Sequence, residues 1–199
     1  MMIQSKNSDS INIINLIKPD TIGAEIGVWK GYTSLMFLSR KIKKLFMIDP
    51  YAVENYEYLG EEYMQNFYAK YSKLTGEFSK AGFMRYYDKV YEDVVEKVKT
   101  YSAAEICRMT SDQWFERNKD IKLDWVYIDG DHSYPQTKKD LNNSFNVVKS
   151  GGRIIGDDYK WPEAKSGKDG TTKAVNEFIE QNKFKMYKHG ETQFSIVVP

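Results

Sequence analysis

The chain has 199 residues, a mass of 23.2 kDa and a formal net charge of +1, with 41% hydrophobic and 29% charged residues. At ~150 residues per domain this is one domain with room for a lid or insertion, and the composition excludes wholesale disorder. The balanced charge gives no reason to bind nucleic acid or an anionic membrane, a single cysteine (Cys107) excludes an intrachain disulfide, and two histidines (His132 and His189) exclude a metal site built of histidine alone.

The opening residues are polar, and the apolar run from Ile11 to Ile17 is broken by Asn12 and Asn15. That run is too short to span a bilayer and has neither a basic leader nor a small-residue cleavage site, so a soluble, cytoplasmic protein is expected. T-I-G-A-E-I-G (21–27) reads as a short strand, and Gly31 to Arg40 as a helix with an apolar face of Leu35, Met36, Phe37 and Leu38. K-L-F-M-I-D (44–49) has the uninterrupted apolar centre of a parallel strand buried on both faces, and Pro50 ends it.

Residues 51–85 are the one insertion-like stretch, aromatic and punctuated by Gly76 and Gly82. Leu59, Tyr63, Phe67, Tyr71 and Leu74 recur at helical steps, which predicts a helix over about 56–74; Val90, Val94 and Val98 predict another over about 86–100. Strand–helix alternation then resumes: a strand at 103–109, a short helix at 111–117 capped by Thr110 or Ser111, a strand at 123–129 and a helix at 135–148. A Ser150-Gly-Gly turn leads to a strand at 153–157, followed by a helix at 171–181. Phe184–Lys188 and Gln193–Val198 close as an antiparallel hairpin around His189-Gly190. The alternation predicts an α/β sandwich around a doubly wound, mainly parallel sheet.

Such a sheet binds ligands beyond the carboxyl ends of its strands. The first strand ends in a glycine loop, Glu25 to Gly31, which lacks both the dinucleotide G-x-G-x-x-G pattern and the P-loop G-K-[ST] ending. It reads as a ligand loop or as a plain turn. Asp49 stands where a nucleoside's ribose hydroxyls find their acceptor, though an aspartate before proline is also a common turn. Ser111 and Asp112 follow the third strand and suit either an adenine edge or a helix cap. Asp129, Asp131 and His132 follow the fourth strand, and Asp157 and Asp158 the fifth. If those strands are neighbours, the carboxylates crowd into one volume and need a cation or proton to offset them, and hard oxygens suit Mg²⁺, Ca²⁺ or Mn²⁺.

E-I-G-V-W-K-G, F-M-I-D, V-Y-I-D-G-D-H-S-Y and L-N-N-S-F-N-V-V-K-S-G-G-R-I-I-G-D-D-Y together resemble class I S-adenosylmethionine-dependent methyltransferases, from Thr21 to Val198. The I-D-G-D-H-S-Y and G-D-D-Y pair is similar to the metal-dependent small-molecule O-methyltransferases, the macrocin type among them. The resemblance implies a seven-stranded sheet of order 3-2-1-4-5-7-6 with the last strand reversed, in a single methyltransferase domain over 1–199 with 51–85 as insertion or lid. It implies S-adenosylmethionine held by Glu25, Gly27 and Gly31 at the methionine end, by Asp49 at the ribose and by Ser111 and Asp112 at the adenine, with Asp129 beside it. It further implies Mg²⁺ on Asp129, Asp157 and Asp158, with His132 as general base and Asp131 as the alternative base.

The expected reaction is methylation of a small-molecule hydroxyl on a sugar, another polyol or a phenol. N-methylation on the same fold and non-catalytic nucleoside binding are the alternatives. A nicotinamide oxidoreductase is disfavoured by the missing third glycine and the doubled aspartates. The acceptor pocket is expected from residues 51–85, from Tyr159–Gly170 or from a second subunit, which would make the protein a homo-oligomer.

Overall fold

The computed structural model describes residues 13–54, 60–159 and 170–199. Its strands are β1 (Ile22–Ile26), β2 (Lys44–Ile48), β3 (Ala104–Cys107), β4 (Leu123–Ile128), β5 (Val148–Gly156), β6 (Met186–His189) and β7 (Gln193–Val197). The helices are α1 (Tyr32–Ser39), α2 (Glu61–Thr75), α3 (Lys80–Val98), α4 (Ser111–Arg117), α5 (Tyr134–Val147) and α6 (Gly170–Asn182). One seven-stranded sheet runs β3-β2-β1-β4-β5-β7-β6, the order expected from the sequence. β3, β2, β1, β4 and β5 are parallel, and β7 is antiparallel to both β5 and β6.

Both faces of the sheet are covered, which is why its central strands carry apolar residues on either side. On one face Ile26, Val126, Ile128 and Ile154 pack under Trp114 of α4, Leu141 of α5 and Val175 and Phe178 of α6. On the other, Leu45, Met47, Trp125 and Tyr127 pack under Phe37 of α1 and Val90, Val94 and Val98 of α3. Ile13 and Ile17 are fully buried in this second cluster, so these two residues ahead of β1 belong to the core. Gly23 leaves room for the Trp125 ring, which would lie 2.1 Å from any Cβ there.

Three expected boundaries move. α3 starts at Lys80, not near 86: the Ser79 hydroxyl accepts from Gly82 N at 3.0 Å and caps it. Gly82 therefore lies inside the helix, against the Glu77 side chain. α2 starts at Glu61; the preceding 55–59 lie outside the described residues. β5 starts at Val148, so Ser150-Gly-Gly is no separate turn. The strand passes through a register shift opposite Leu123 and Trp125, with Gly151 at φ +77°. Among the described residues no helix is long and apolar enough to cross a membrane.

Candidate active site

The C-terminal ends of β1, β2, β4 and β5 lie side by side and bring the expected glycine loop and both acidic motifs to one edge. On the β1 side the chain turns at Gly27, whose φ is +87° and whose missing Cβ would meet Asp129 O at 2.0 Å. Only glycine fits a left-handed residue in such contact. Gly31, at φ +71°, caps α1 with no side-chain cap, so the first amides of α1 have no side-chain partner there. Glu25 is 1% exposed and accepts a hydrogen bond from Ser34 Oγ. Burial pushes its carboxyl well above the usual range; the Ser34 bond pulls it back, and the charges of Asp129 and Asp49 push the same way as burial.

Asp49 braces this loop. Its Oδ2 accepts from Val28 N (3.0 Å) and Trp29 N (2.8 Å), and its Oδ1 from Tyr51 N (2.8 Å). Burial raises its pKa, while these backbone donors and the nearby Arg108 oppose the rise. Trp29 (φ +45°) and Tyr51 (φ +47°) take left-handed conformations that aromatic residues rarely adopt. Both have their N–H on Asp49, which offsets the cost.

The β4 and β5 side is arranged differently. Asp157 is saturated: Oδ1 accepts from Thr192 Oγ1 (2.5 Å) and Asp158 N (2.8 Å), and Oδ2 from Gln193 Nε2 (3.4 Å). Tyr127 OH lies 3.4 Å from both Asp129 Oδ2 and Asp157 Oδ2. Burial raises the Tyr127 pKa far above its ordinary value, and Asp129 and Asp157 add to the rise, so it stays a donor between them. Asp158 has φ +60°, and its Oδ2 lies 2.9 Å from His132 Nδ1. Asp129, His132 and Asp158 each place a donor atom within 4.8 Å of the others. The geometry thus groups His132 with Asp129 and Asp158, where the sequence suggested Asp157. Burial disfavours a charge on His132, but the Asp158 bond and charge, with Asp129 and Asp131 behind it, outweigh burial and raise its pKa. Asp131 Oδ1 accepts from Ser133 N at 2.8 Å and fixes the turn into α5. A water-sized cavity of about 10 Å³ lies against His132, Asp157 and Thr171.

Thr110, not Ser111, caps α4, in a reciprocal box with Gln113. Ser111 and Asp112 meet Gln136, whose Nε2 lies 3.1 Å from Ser111 Oγ and 3.2 Å from both Asp112 Oδ1 and Asp140 Oδ1. Asp140 is buried, and among the described residues its Oδ2 has no hydrogen-bond partner. Burial pushes its pKa up to about 7, and bonds from Ser111 and Gln136 hold it down only in part. Tyr127, Gln136, Asp140, Thr192 and Gln193 were not anticipated. The four-residue spacing of Gln136, Asp140 and Ser144 was a readable signal of one polar stripe on α5. Of the proposed acceptor segments, 160–169 lies outside the described residues.

Residues 24–159 match the family described as "Methyltransferase domain". An uncharacterized protein of Acanthamoeba polyphaga mimivirus is 28% identical over 151 residues, 75% of this chain; the chain spans 57% of that relative's length. Among solved structures, the O-methyltransferase from Bacillus cereus in complex with S-adenosylhomocysteine (SAH) superposes with a TM-score of 0.62 at 12% identity, covering 97% of this chain and 81% of that one. The fibrillarin pre-rRNA processing protein of Methanococcus jannaschii superposes with a TM-score of 0.60 at 13% identity, over 92% of this chain and 68% of that one. These two likenesses are of fold.

Proposed function

The chain belongs to the methyltransferase-domain family, and from that premise we propose that it transfers the methyl group of S-adenosylmethionine to a hydroxyl oxygen of a small molecule. The observation that carries the reading is the His132–Asp158 pair, 2.9 Å apart, on the strand-end edge that also holds the glycine loop, Glu25 and Asp49. When bound, S-adenosylmethionine supplies an electron-poor sulfonium carbon, so that a C–O bond forms as the C–S bond breaks and a neutral thioether leaves.

The chain's residues do the rest. Glu25, Gly27 and Gly31 line the methionine end, Asp49 the ribose, and Ser111 and Asp112 the adenine. A neutral hydroxyl is a poor nucleophile, and general-base help supplies what it lacks. With Nδ1–H given to Asp158, His132 takes the acceptor's proton at Nε2, as a carboxylate orients the imidazole of a catalytic triad. The balanced net charge of +1 favours a small acceptor over a polyanion such as RNA.

A second reading rests on the grouped donors. Two carboxylates and an imidazole within 4.8 Å suit a divalent cation, Mg²⁺ or Mn²⁺, which would lower the pKa of a bound hydroxyl. His132 is then a ligand, and Asp131 is the group left to take the proton. The domain assignment belongs to the same proposal: 1–199 is one methyltransferase unit, with 51–85 as its cover.

Isothermal titration tests the core of the proposal. S-adenosylmethionine and SAH are expected to bind with micromolar affinity, more weakly after Asp49→Ala. NADH binding with neither of them bound would overturn it.

A further inference from the structure

We propose that Gln136 is the positioning residue that aims Asp112 at the exocyclic amine of the cofactor's adenine, and so sets the choice of nucleobase. This deepens the methyl-transfer reading, in which Ser111 and Asp112 meet the adenine, and rests on it.

Gln136 spans two fixed points. On its own side, Ser133 Oγ accepts from Gln136 N at 3.4 Å and Asp131 Oδ1 accepts from Ser133 N at 2.8 Å, so the first turn of α5 is tied to the loop that carries His132. Across from it, the Thr110–Gln113 box fixes the first turn of α4, where Ser111 and Asp112 stand beyond the end of β3. The Gln136 side chain crosses between the two turns. Its Nε2 lies 3.1 Å from Ser111 Oγ and 3.2 Å from both Asp112 Oδ1 and Asp140 Oδ1.

Three acceptors thus surround a nitrogen that has two hydrogens. The Ser111 hydroxyl donates to Asp140, which gives that acid a donor of its own. The Gln136 hydrogens then fall to Ser111 Oγ and Asp112 Oδ1. Asp112 has a second partner in Lys139, whose Nζ lies 2.9 Å from Oδ2. The side chains of that pair are 58% and 44% exposed, and an ion pair so exposed contributes little. Gln136 is half-buried, and its planar amide is also held at Ser111, so it is the partner that sets the direction of the carboxylate. A carboxylate offers lone pairs and no hydrogen. It accepts from the amine of adenine and opposes the carbonyl oxygen that hypoxanthine carries at the same ring position.

Isothermal titration of the full chain with SAH and with S-inosylhomocysteine, its analogue bearing that carbonyl, tests this. Binding of neither ligand to the wild-type protein would overturn the methyl-transfer reading and this inference with it. SAH is expected to bind about ten- to a hundredfold more tightly than S-inosylhomocysteine, the size of one hydrogen bond to a charged group. Gln136→Met, which keeps the length and loses the donors, is expected to shrink that ratio several-fold by weakening SAH more than its analogue. Gln136→Glu, of the same shape with oxygens in place of the donors, is expected to do the same. Asp112→Asn, which donates as well as accepts, is expected to erase the ratio, and Gln136→Met added to it is expected to change the ratio no further. Equal wild-type affinities, an equal loss for both ligands in either Gln136 variant, or a further shift in the double variant would overturn the proposal while SAH binding kept the methyl-transfer reading in place.

Discussion

The two ends of the acidic row treat the same side chain in opposite ways. At the β1–β2 end, Asp49 takes three backbone N–H groups and Glu25 takes a hydroxyl, so each carboxylate is consumed in shaping a loop. At the β4–β5 end, Asp158 and Asp129 face the His132 imidazole. What a carboxylate does is set by the donors around it. One saturated by amides builds a cradle, and one matched to an ionisable group can move charge. Asp157 stands in the second region but is built like the first, bound to Thr192, Gln193 and Asp158 N.

Substitutions break this contrast most sharply at His132. On the base reading, His132→Ala lowers turnover by roughly 10²–10⁴-fold and leaves SAH affinity nearly intact by calorimetry. A loss of SAH binding of the same size would mean that the two ends are not separate devices.

Asp140 tests burial with only one carboxylate oxygen satisfied. Its carboxyl is buried like that of Glu25, yet Oδ2 has no partner among the described residues, and burial pushes the folded pKa up to about 7, above the unfolded ~3.9. A raised carboxyl favours folding most when protonated. Its contribution is complete below ~3.9 and is lost as pH rises through about 7. Denaturant titrations from pH 4 to 8 should therefore show a decline on the order of a few kcal/mol, which Asp140→Asn removes. An identical pH dependence in that variant would mean that water or a neighbour satisfies the buried oxygen.

Divalent cations sharpen the comparison further. An ion at 100 times its Kd stabilises the native state by about 2.7 kcal/mol, so Mg²⁺ or Mn²⁺ should raise Tm. Asp129→Asn and Asp158→Asn should abolish the rise and Asp157→Asn should largely spare it; the reverse pattern would restore Asp157 to the donor set. The smallest effect is expected from Asp49→Ala, which orphans three amides and costs about 1–3 kcal/mol by chemical denaturation. A neutral outcome would mean that the loop keeps its shape unaided.

What could be read in the sequence was local in cause. β1, α1, β2 and the acidic motifs show because strand ends and helical periodicity are written in adjacent residues. The start of α3 was hidden because Gly82 resembles a breaker, and only its packing against Glu77 and the Ser79 cap make it helical. The early start of β5 was hidden because Gly151 and Gly152 look like a turn, while pairing with β4 keeps them in the strand. The grouping of His132 with Asp129 and Asp158 had no sequence signal. It depends on where the 129–133 loop aims a ring and on which acid the β6–β7 hairpin claims through Thr192 and Gln193.

The contact at Gly27 limits how such a protein can change over time. Its α-carbon abuts the Asp129 carbonyl so closely that a single methyl would sit 2.0 Å from that oxygen. Drift at position 27 would move the strand-four acids together with the first loop, so neither can wander alone.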